Sequence, residues 1–482
     1  MFENVLGQAA CTRLAADLGS ASLPPALLFA GPTASGKGTA ALELARALSC
    51  ETGKAAWNCA CPSCESHRSL SHPDVLLLGP RAFSSEIAAS AAAFLRDPPS
   101  TARTLFLRSV RKLLLRFSPV LWEGDETKFA KAAVLYSSLT EDLEELNPQY
   151  PLPEGTQLRK LVESMQTSAV KLESEGVADS VPIAQIRRAA YWTRLAPNGR
   201  KKLLFIEGAD RMQEGSRNAL LKILEEPPET AILILSTTRR GALMPTILSR
   251  VRPYIFAARN EAVERDVVRR VFRDTDAADA LDAQSVAGTH PGAEAHTGTG
   301  AVTGSRKSII SEYLDGFLPA SPRELEEAAV LFLASTIAAA EYRVGAESLG
   351  AARRGPQSGR GSLGGSLSVL ATLANGLGTQ SASLPREARL AVAALMDGAH
   401  KFEPRSLFTS FLERLLTLCS RSLCDLRNEA LSLQLAEDWS QAVRAADSAV
   451  GTYNQNPLLA LERLFGAFAD ALTSAAQAGK RP

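Results

Sequence analysis

The sequence is short of net charge. Its 53 lysines and arginines offset 52 aspartates and glutamates, leaving a formal +1 over 482 residues. A protein coated all over with nucleic acid needs a strong basic excess, so only a local basic stripe stays open. Long apolar runs are missing too. No segment approaches about 18 uncharged apolar residues, so no membrane span is expected. The first residues, MFENVLGQAA, show no basic start followed by an apolar core. No secretion signal is therefore expected, and the default compartment is the cytoplasm. What remains is a chain long enough for roughly three domains at about 150 residues each.

The seven cysteines are unevenly placed. Cys50, Cys59, Cys61 and Cys64 fall within fifteen residues, spaced C-x8-C-x-C-x2-C. In a reducing compartment such clustering favours metal over disulfide. Tetrahedral zinc takes four thiolates or imidazoles from a compact loop, and a closed four-ligand site of this kind is structural. CACPSC supplies three ligands, and Cys50 comes from the end of the preceding helix. The single-residue gap between Cys59 and Cys61 is tight, which leaves His67 or His72 as a substitute ligand. Cys11, Cys419 and Cys424 are scattered and read as buried thiols.

GPTASGKGT (31–39) reads as a phosphate-binding loop with one letter displaced. Such a loop holds phosphates with backbone N–H groups and a lysine. Gly31, Ser35, Gly36 and Lys37 fit that pattern. The next residue normally carries a hydroxyl that ligates Mg²⁺. Here it is Gly38, and the hydroxyl arrives one residue late on Thr39. ALLFA (26–30) ahead of the loop reads as a strand, and TAALELARAL after it as a helix. LLFIEGADRM ends a second strand with Glu207 in the place of the metal-side carboxylate. The water-activating carboxylate belongs next, and that position is Gly208; Asp210 is too far along to reach the same point. ATP and Mg²⁺, if held in this loop, are therefore held weakly.

DVLLLG (74–79), KLLFIEG (202–208) and AILILST (231–237) read as further buried strands. With helices between them they predict a parallel sheet covered on both faces. Residues 80–181 interrupt this alternation with helical periodicity and are expected to form a helical insertion. Within it, RTLFLRSVRKLLLRF (103–117) gathers Arg108, Arg111 and Lys112 on one helical face, with Arg116 a turn further on. That face is expected to be solvated, the sharper alternative being a DNA-backbone or partner contact. Two stretches rich in Gly, Ala, Ser and Thr, 275–305 and 350–368, bury little apolar surface and are expected to be mobile. A helix is expected over 322–344, and residues 386–475 read as helical throughout.

The segments FENVLGQ, LLFAGPTASGKGT, the four-cysteine loop, HPDVLLL, PIAQIRRAAYW (182–192), LLFIEGADRM, NALLKILEEPPE and ILSR resemble, in this order, the gamma/tau and delta-prime clamp-loader subunits of bacterial DNA polymerase III. The resemblance covers residues 1–78 and 182–257. It implies an α/β P-loop AAA+ domain over 1–257, carrying the zinc loop (50–72) and the helical insertion (80–181). A small helical lid (258–345) with the insert 275–305, a flexible linker (346–385) and an all-α oligomerising collar (386–482) would follow. The implied partners are the gamma/tau and delta subunits and, through the complex, the sliding clamp and primed DNA, with no membrane. Gamma/tau chains carry an Asp-Glu pair at 207–208 and Ser or Thr at 38. Glu207-Gly208 and Gly38 look more like delta-prime, which in this family does not hydrolyse ATP. The resemblance also implies that Arg250, at the end of PTILSR, faces the ATP of a neighbouring gamma/tau subunit as a trans arginine; Val251 stands where the family has Cys. The alternative is an active gamma/tau-type motor, favoured by Lys37 and Thr39. A stand-alone nucleotide kinase is disfavoured by the ILSR segment and the collar-like tail.

Overall fold

The apolar runs become strands β1 (Ala26–Ala30), β2 (Val75–Leu78), β3 (Lys202–Ile206) and β4 (Ala231–Thr237), and β5 (Arg252–Ile255) joins them. The order is β2-β3-β4-β1-β5, and every neighbouring pair is parallel. All residues of β1 to β4 are buried. That is why these strands read as unbroken apolar runs rather than as alternations. The computed structural model describes residues 1–96, 100–177, 180–278, 308–317, 322–352, 404–424, 429–451 and 455–478. They divide into two compact units, Met1–Phe317 and Leu318–Pro482.

The first unit carries α1 (Ala9–Gly19), α2 (Lys37–Ser49) and α3 (Pro62–Ser69) before and after the glycine loop. Between β2 and β3 come α4 (Ser84–Arg96), α5 (Ser100–Leu114), α6 (Pro119–Trp122), α7 (Glu126–Glu145), α8 (Gly155–Gly176) and α9 (Ile183–Arg194). α10 (Glu214–Glu225), α11 (Pro245–Leu248) and α12 (Glu261–Val271) follow β3, β4 and β5. Strand parity splits the sheet's core in two. Leu28, Leu204 and Leu233 pack with Trp192 and Ile223 on one face. Leu27, Phe29, Phe205 and Ile234 pack with Leu14 and Leu44 on the other. The insertion builds its own core from Phe94, Phe106, Leu139, Val162 and Leu172. Its two ends are tied together by Glu173 of α8, whose carboxylate accepts from the Phe83 amide (3.1 Å) and the Ser84 hydroxyl (2.5 Å) at the start of α4.

Asn260 caps α12, its side chain accepting from the Val263 amide at 2.8 Å. Val268 and Phe272 then pack with Ile310 and Tyr313 of the short helix Ile309–Asp315. The second unit is a bundle of helices Pro322–Ala352, Pro404–Cys424, Glu429–Gly451 and Pro457–Ala478 around Phe332, Phe411, Trp439 and Phe468. Trp439 and Phe468 stack with centroids 5.2 Å apart.

Three boundaries differ from the sequence expectation. The helix expected with the 258–345 segment packs instead in the C-terminal bundle, because Phe332, Leu333 and Ile337 face Phe411 and Phe468. It also runs on to Ala352, past the expected start of the linker at 346. Residues 275–278, expected to open a low-complexity stretch, are helical, and Ala278 is buried. The rest of that stretch, residues 279–305, and the linker beyond 352 lie outside the described residues. Cys11 and Cys419 are buried thiols, whereas Cys424 is exposed at the end of its helix. Among the described residues no helix is long and apolar enough to cross a membrane.

Candidate functional site

The glycine loop leaves the carboxyl end of β1, between β4 and β5, where ligands of open parallel sheets bind. Gly36 has φ +93°, a left-handed conformation that lets the loop turn into the N-terminus of α2. Ser35 is buried and donates its hydroxyl to the Pro32 carbonyl at 2.8 Å. The Lys37 ammonium turns back into the loop and donates to the carbonyls of Gly31 (2.7 Å) and Pro32 (2.5 Å). Burial lowers Lys37 to about 8, with Glu207 opposing the shift. Gly38 and Thr39 occupy the first turn of α2, both half-buried. From outside, Arg259 clasps the loop: it donates to the Leu6 carbonyl at 3.1 Å and to the carbonyl of Ala34.

Glu207 follows β3 and is fully engaged by the insertion. Its Oε1 accepts from Arg81 at 2.9 Å, and its Oε2 accepts from Arg116. Burial would raise the Glu207 carboxyl, but Arg81 and Arg116 outweigh it and hold it below the usual range. Arg81 also binds Glu86 at 2.6 Å, and Glu86 is shared with Lys112. Gly208 has φ +61°, and a Cβ there would stand 3.1 Å from Cγ of Pro80. Asp210 is directed elsewhere, accepting from the Thr237 hydroxyl at 2.7 Å and pairing with Arg239 at 3.2 Å. The residues present do not fit a Mg²⁺ ion: position 38 has no hydroxyl, and both oxygens of Glu207 are held by guanidinium groups.

The basic face of 103–117 is neither solvated nor a free contact surface. Arg108 donates to the carbonyls of His67 and Arg68, and Arg111 to that of Ser69 at 2.9 Å. Lys112 meets Glu86, and Arg116 meets Glu207. The face turns inward because α3 presents carbonyls at its C-terminal end, α4 presents Glu86 and the end of β3 presents Glu207. Both parts of that expectation are corrected. Arg81, Arg116 and Arg259 were not singled out as loop residues in the sequence. Their place beside it follows from the pairing of β2 with β3 and of β1 with β5, which no local spacing reveals.

The sulfurs of Cys50, Cys59, Cys61 and Cys64 all lie within 4.8 Å of one another, an arrangement that can hold a metal ion. The short gap between Cys59 and Cys61 is accommodated because Cys61 is the N-cap of α3, with its sulfur accepting from the Cys64 amide at 3.4 Å. Pro62 opens that helix at a position where no amide is needed. Four thiols suit the soft-ligand, tetrahedral preference of zinc. Neither histidine joins them. His67 and His72 stack on each other at 4.0 Å, and burial holds His67 at about 3, in its neutral form. Arg46, buried in α2, braces the site: it pairs with Glu43 at 2.9 Å and lies 3.6 Å from the Cys64 sulfur.

Arg250 lies in the turn between α11 and β5, just ahead of the edge strand. It is exposed, donates to the Thr246 carbonyl at 2.8 Å and pairs with Glu225 at 2.9 Å. Val251 beside it is buried.

The sequence family described as DNA polymerase III, delta subunit matches residues 7–110 and 118–260, about half of the chain. The match runs through most of the insertion. The DNA polymerase III subunit delta′ of Haemophilus influenzae is 36% identical over 62 residues, 13% of this chain and 19% of that one. The gamma/tau subunit of Mycobacterium tuberculosis is 32% identical over 87 residues, 18% of this chain and 15% of that one. The chain thus spans less than a quarter of the length of either relative. A crystal structure of a DNA polymerase III, gamma subunit-related protein from Thermotoga maritima aligns over 60% of this chain and 79% of that one, at 17% identity and a TM-score of 0.26.

Proposed function

The chain belongs to the DNA polymerase III delta-subunit family, and on that premise we propose that it is a delta-prime-like, non-hydrolysing subunit of a clamp loader. In this reading it joins gamma/tau and delta subunits, and its C-terminal helices serve as the oligomerising collar. It offers Arg250 to the ATP of a neighbouring gamma/tau subunit and helps place the sliding clamp on primed DNA. The four-cysteine site holds one structural Zn²⁺.

The observation that carries the reading is the state of Glu207. A motor subunit needs that carboxylate for a metal, and here two arginines of the same chain hold it. Gly38 and Gly208 support the same conclusion from the missing hydroxyl and the missing second carboxylate. Lys37, Thr39 and the likeness to a gamma/tau subunit favour the alternative, an active motor. The test mixes the purified chain with its gamma/tau and delta subunits and reads co-elution and clamp- and DNA-stimulated ATPase. We expect co-elution, no turnover by the chain alone, and no loss of complex turnover when Lys37→Ala is made in this chain. Turnover by the isolated chain, abolished by Lys37→Ala, would identify the motor instead.

A further inference from the structure

Three features locate the metal of a nucleotide loop: the residue after the loop lysine, the acidic residue closing the neighbouring strand, and the phosphates. In this chain a guanidinium stands between the first two. Nη1 of Arg81 is 2.9 Å from Oε1 of Glu207 and 3.1 Å from where a Cβ on residue 38 would be. We propose that Arg81, backed by Arg116, is a built-in cation that fills the magnesium position of loop 31–39, so that this site does not take a Mg²⁺-bound nucleotide. The proposal deepens the non-hydrolysing reading and rests on it, supplying a cause inside the chain.

Sterics make two departures from the loop pattern into one. A serine or threonine at 38 would press its side chain against Arg81, while glycine leaves the space that the guanidinium uses. Electrostatics act in the same direction. The cluster of Arg81, Lys112, Arg116, Glu86 and Glu207 holds three basic groups against two acidic ones, and Lys37 adds a further positive charge beside it. No carboxylate in the cluster is left over for a divalent ion, and an added cation would meet like charge from several sides.

The arginines are also fixed in place. Glu86 holds Arg81 from the far side at 2.6 Å. The buried ring of Phe83 lies under both guanidinium groups, at 5.6 Å from Arg81 and 5.5 Å from Arg116. Arg116 has two further nitrogens buried without a hydrogen-bond partner, so its charge is committed to Glu207. Arg81 and Arg116 both belong to the insertion between β2 and β3. The insertion thereby reaches the loop and occupies its metal corner.

The test titrates ATP into the full chain, once with Mg²⁺ and once with EDTA, by calorimetry. For the wild-type chain we expect Mg²⁺ to change the affinity by less than about twofold, or no uptake in either buffer. The double variant Arg81→Ala/Gly38→Thr opens the corner and restores the hydroxyl, and in it Mg²⁺ should tighten ATP by about tenfold or more. Glu86 keeps Lys112 and Glu207 keeps Arg116 in that variant, so the fold is expected to survive. Should it not, Arg81→Gln/Gly38→Ser preserves more of the packing and is read the same way. A tenfold tightening by Mg²⁺ in the wild type overturns the proposal. So does a folded double variant that ignores Mg²⁺ as the wild type does. Co-elution with gamma/tau and delta is independent of both readouts, so failure of the subunit role and failure of the filled corner are told apart.

Discussion

Glu86 is the residue on which the insertion's contact with the loop turns. Burial raises its carboxyl, but Lys112 and Arg81 outweigh burial and hold it at about 2, below the ordinary 4.5. A depressed folded-state value stabilises the fold above about 4.5, and that contribution is lost as pH falls from there towards 2. Glu86→Gln should therefore cost on the order of 3 kcal/mol at neutral pH, by leaving Lys112 short of its partner. It should also flatten the acid limb of the stability curve over the same window. Urea denaturation of both proteins at pH 7 and pH 3 checks this; equal losses at both pH values would contradict it. Gly208→Glu tests the other carboxylate position. At φ +61° with Pro80 alongside, any side chain is strained, so the variant should lose about 1–3 kcal/mol and gain no ATPase. Thermal melting and phosphate release read the two effects separately. At this scale, legibility followed sequence distance. Lys37, Glu207 and the four cysteines declare themselves by spacing within short segments. Arg81, Arg116 and Arg259 sit beside the loop only because particular strands are neighbours in the sheet.

Among the elements, the cysteine cluster joins two helices end to end. Cys50 closes α2 and Cys61 opens α3, so a metal between them fixes the C-terminal end of the helix that begins at the loop. α5 docks on the carbonyls that end α3 through Arg108 and Arg111. Structural zinc in small sites contributes on the order of 10 kcal/mol of binding-coupled folding energy. Chelation should then raise amide exchange across 50–72 and along the α5 face that docks there, while β1 and β4 stay protected. Metal analysis of protein prepared without chelator should give about one zinc per chain, and a content well below that removes the premise. Strands β1 to β4 were legible because parallel strands buried on both faces are unbroken apolar runs, whereas β5, a partly exposed edge strand carrying Arg252 and Pro253, shows no such run. The basic face of α5 departs from its expectation for an equally physical reason. Helical periodicity shows which charges share a face but not whether another element supplies carbonyls and carboxylates to meet them.

For the whole molecule, the parallel α/β unit and the separate helical bundle were both legible in outline. Their boundary was not, because the helix Pro322–Ala352 is apolar on most of its surface and its periodicity alone does not say which unit it completes. The proposed role of the molecule in a complex is tested most directly at Arg250. An arginine reaching across a subunit interface stabilises charge on the transferring phosphoryl group, and such groups are worth about 10³–10⁵ in rate. Arg250 is exposed, and its pairing with Glu225 is of the surface kind, worth about 0–1 kcal/mol. Arg250→Ala should therefore leave folding and co-elution with the partner subunits intact. Only one of several ATP sites in a clamp loader would use this arginine, so total turnover should fall partially while clamp loading slows. Arg250→Lys should not restore the rate in full, because an ammonium lacks the planar two-pronged donor. Glu225→Ala, which frees the guanidinium from its partner within the chain, should leave loading close to wild type, separating the arginine's reach from its local pairing. Pre-steady-state clamp loading by complexes reconstituted with each variant reads all three. A wild-type rate for Arg250→Ala would mean that this chain acts on the machine through its frame alone, and the trans arginine would have to be sought on another subunit.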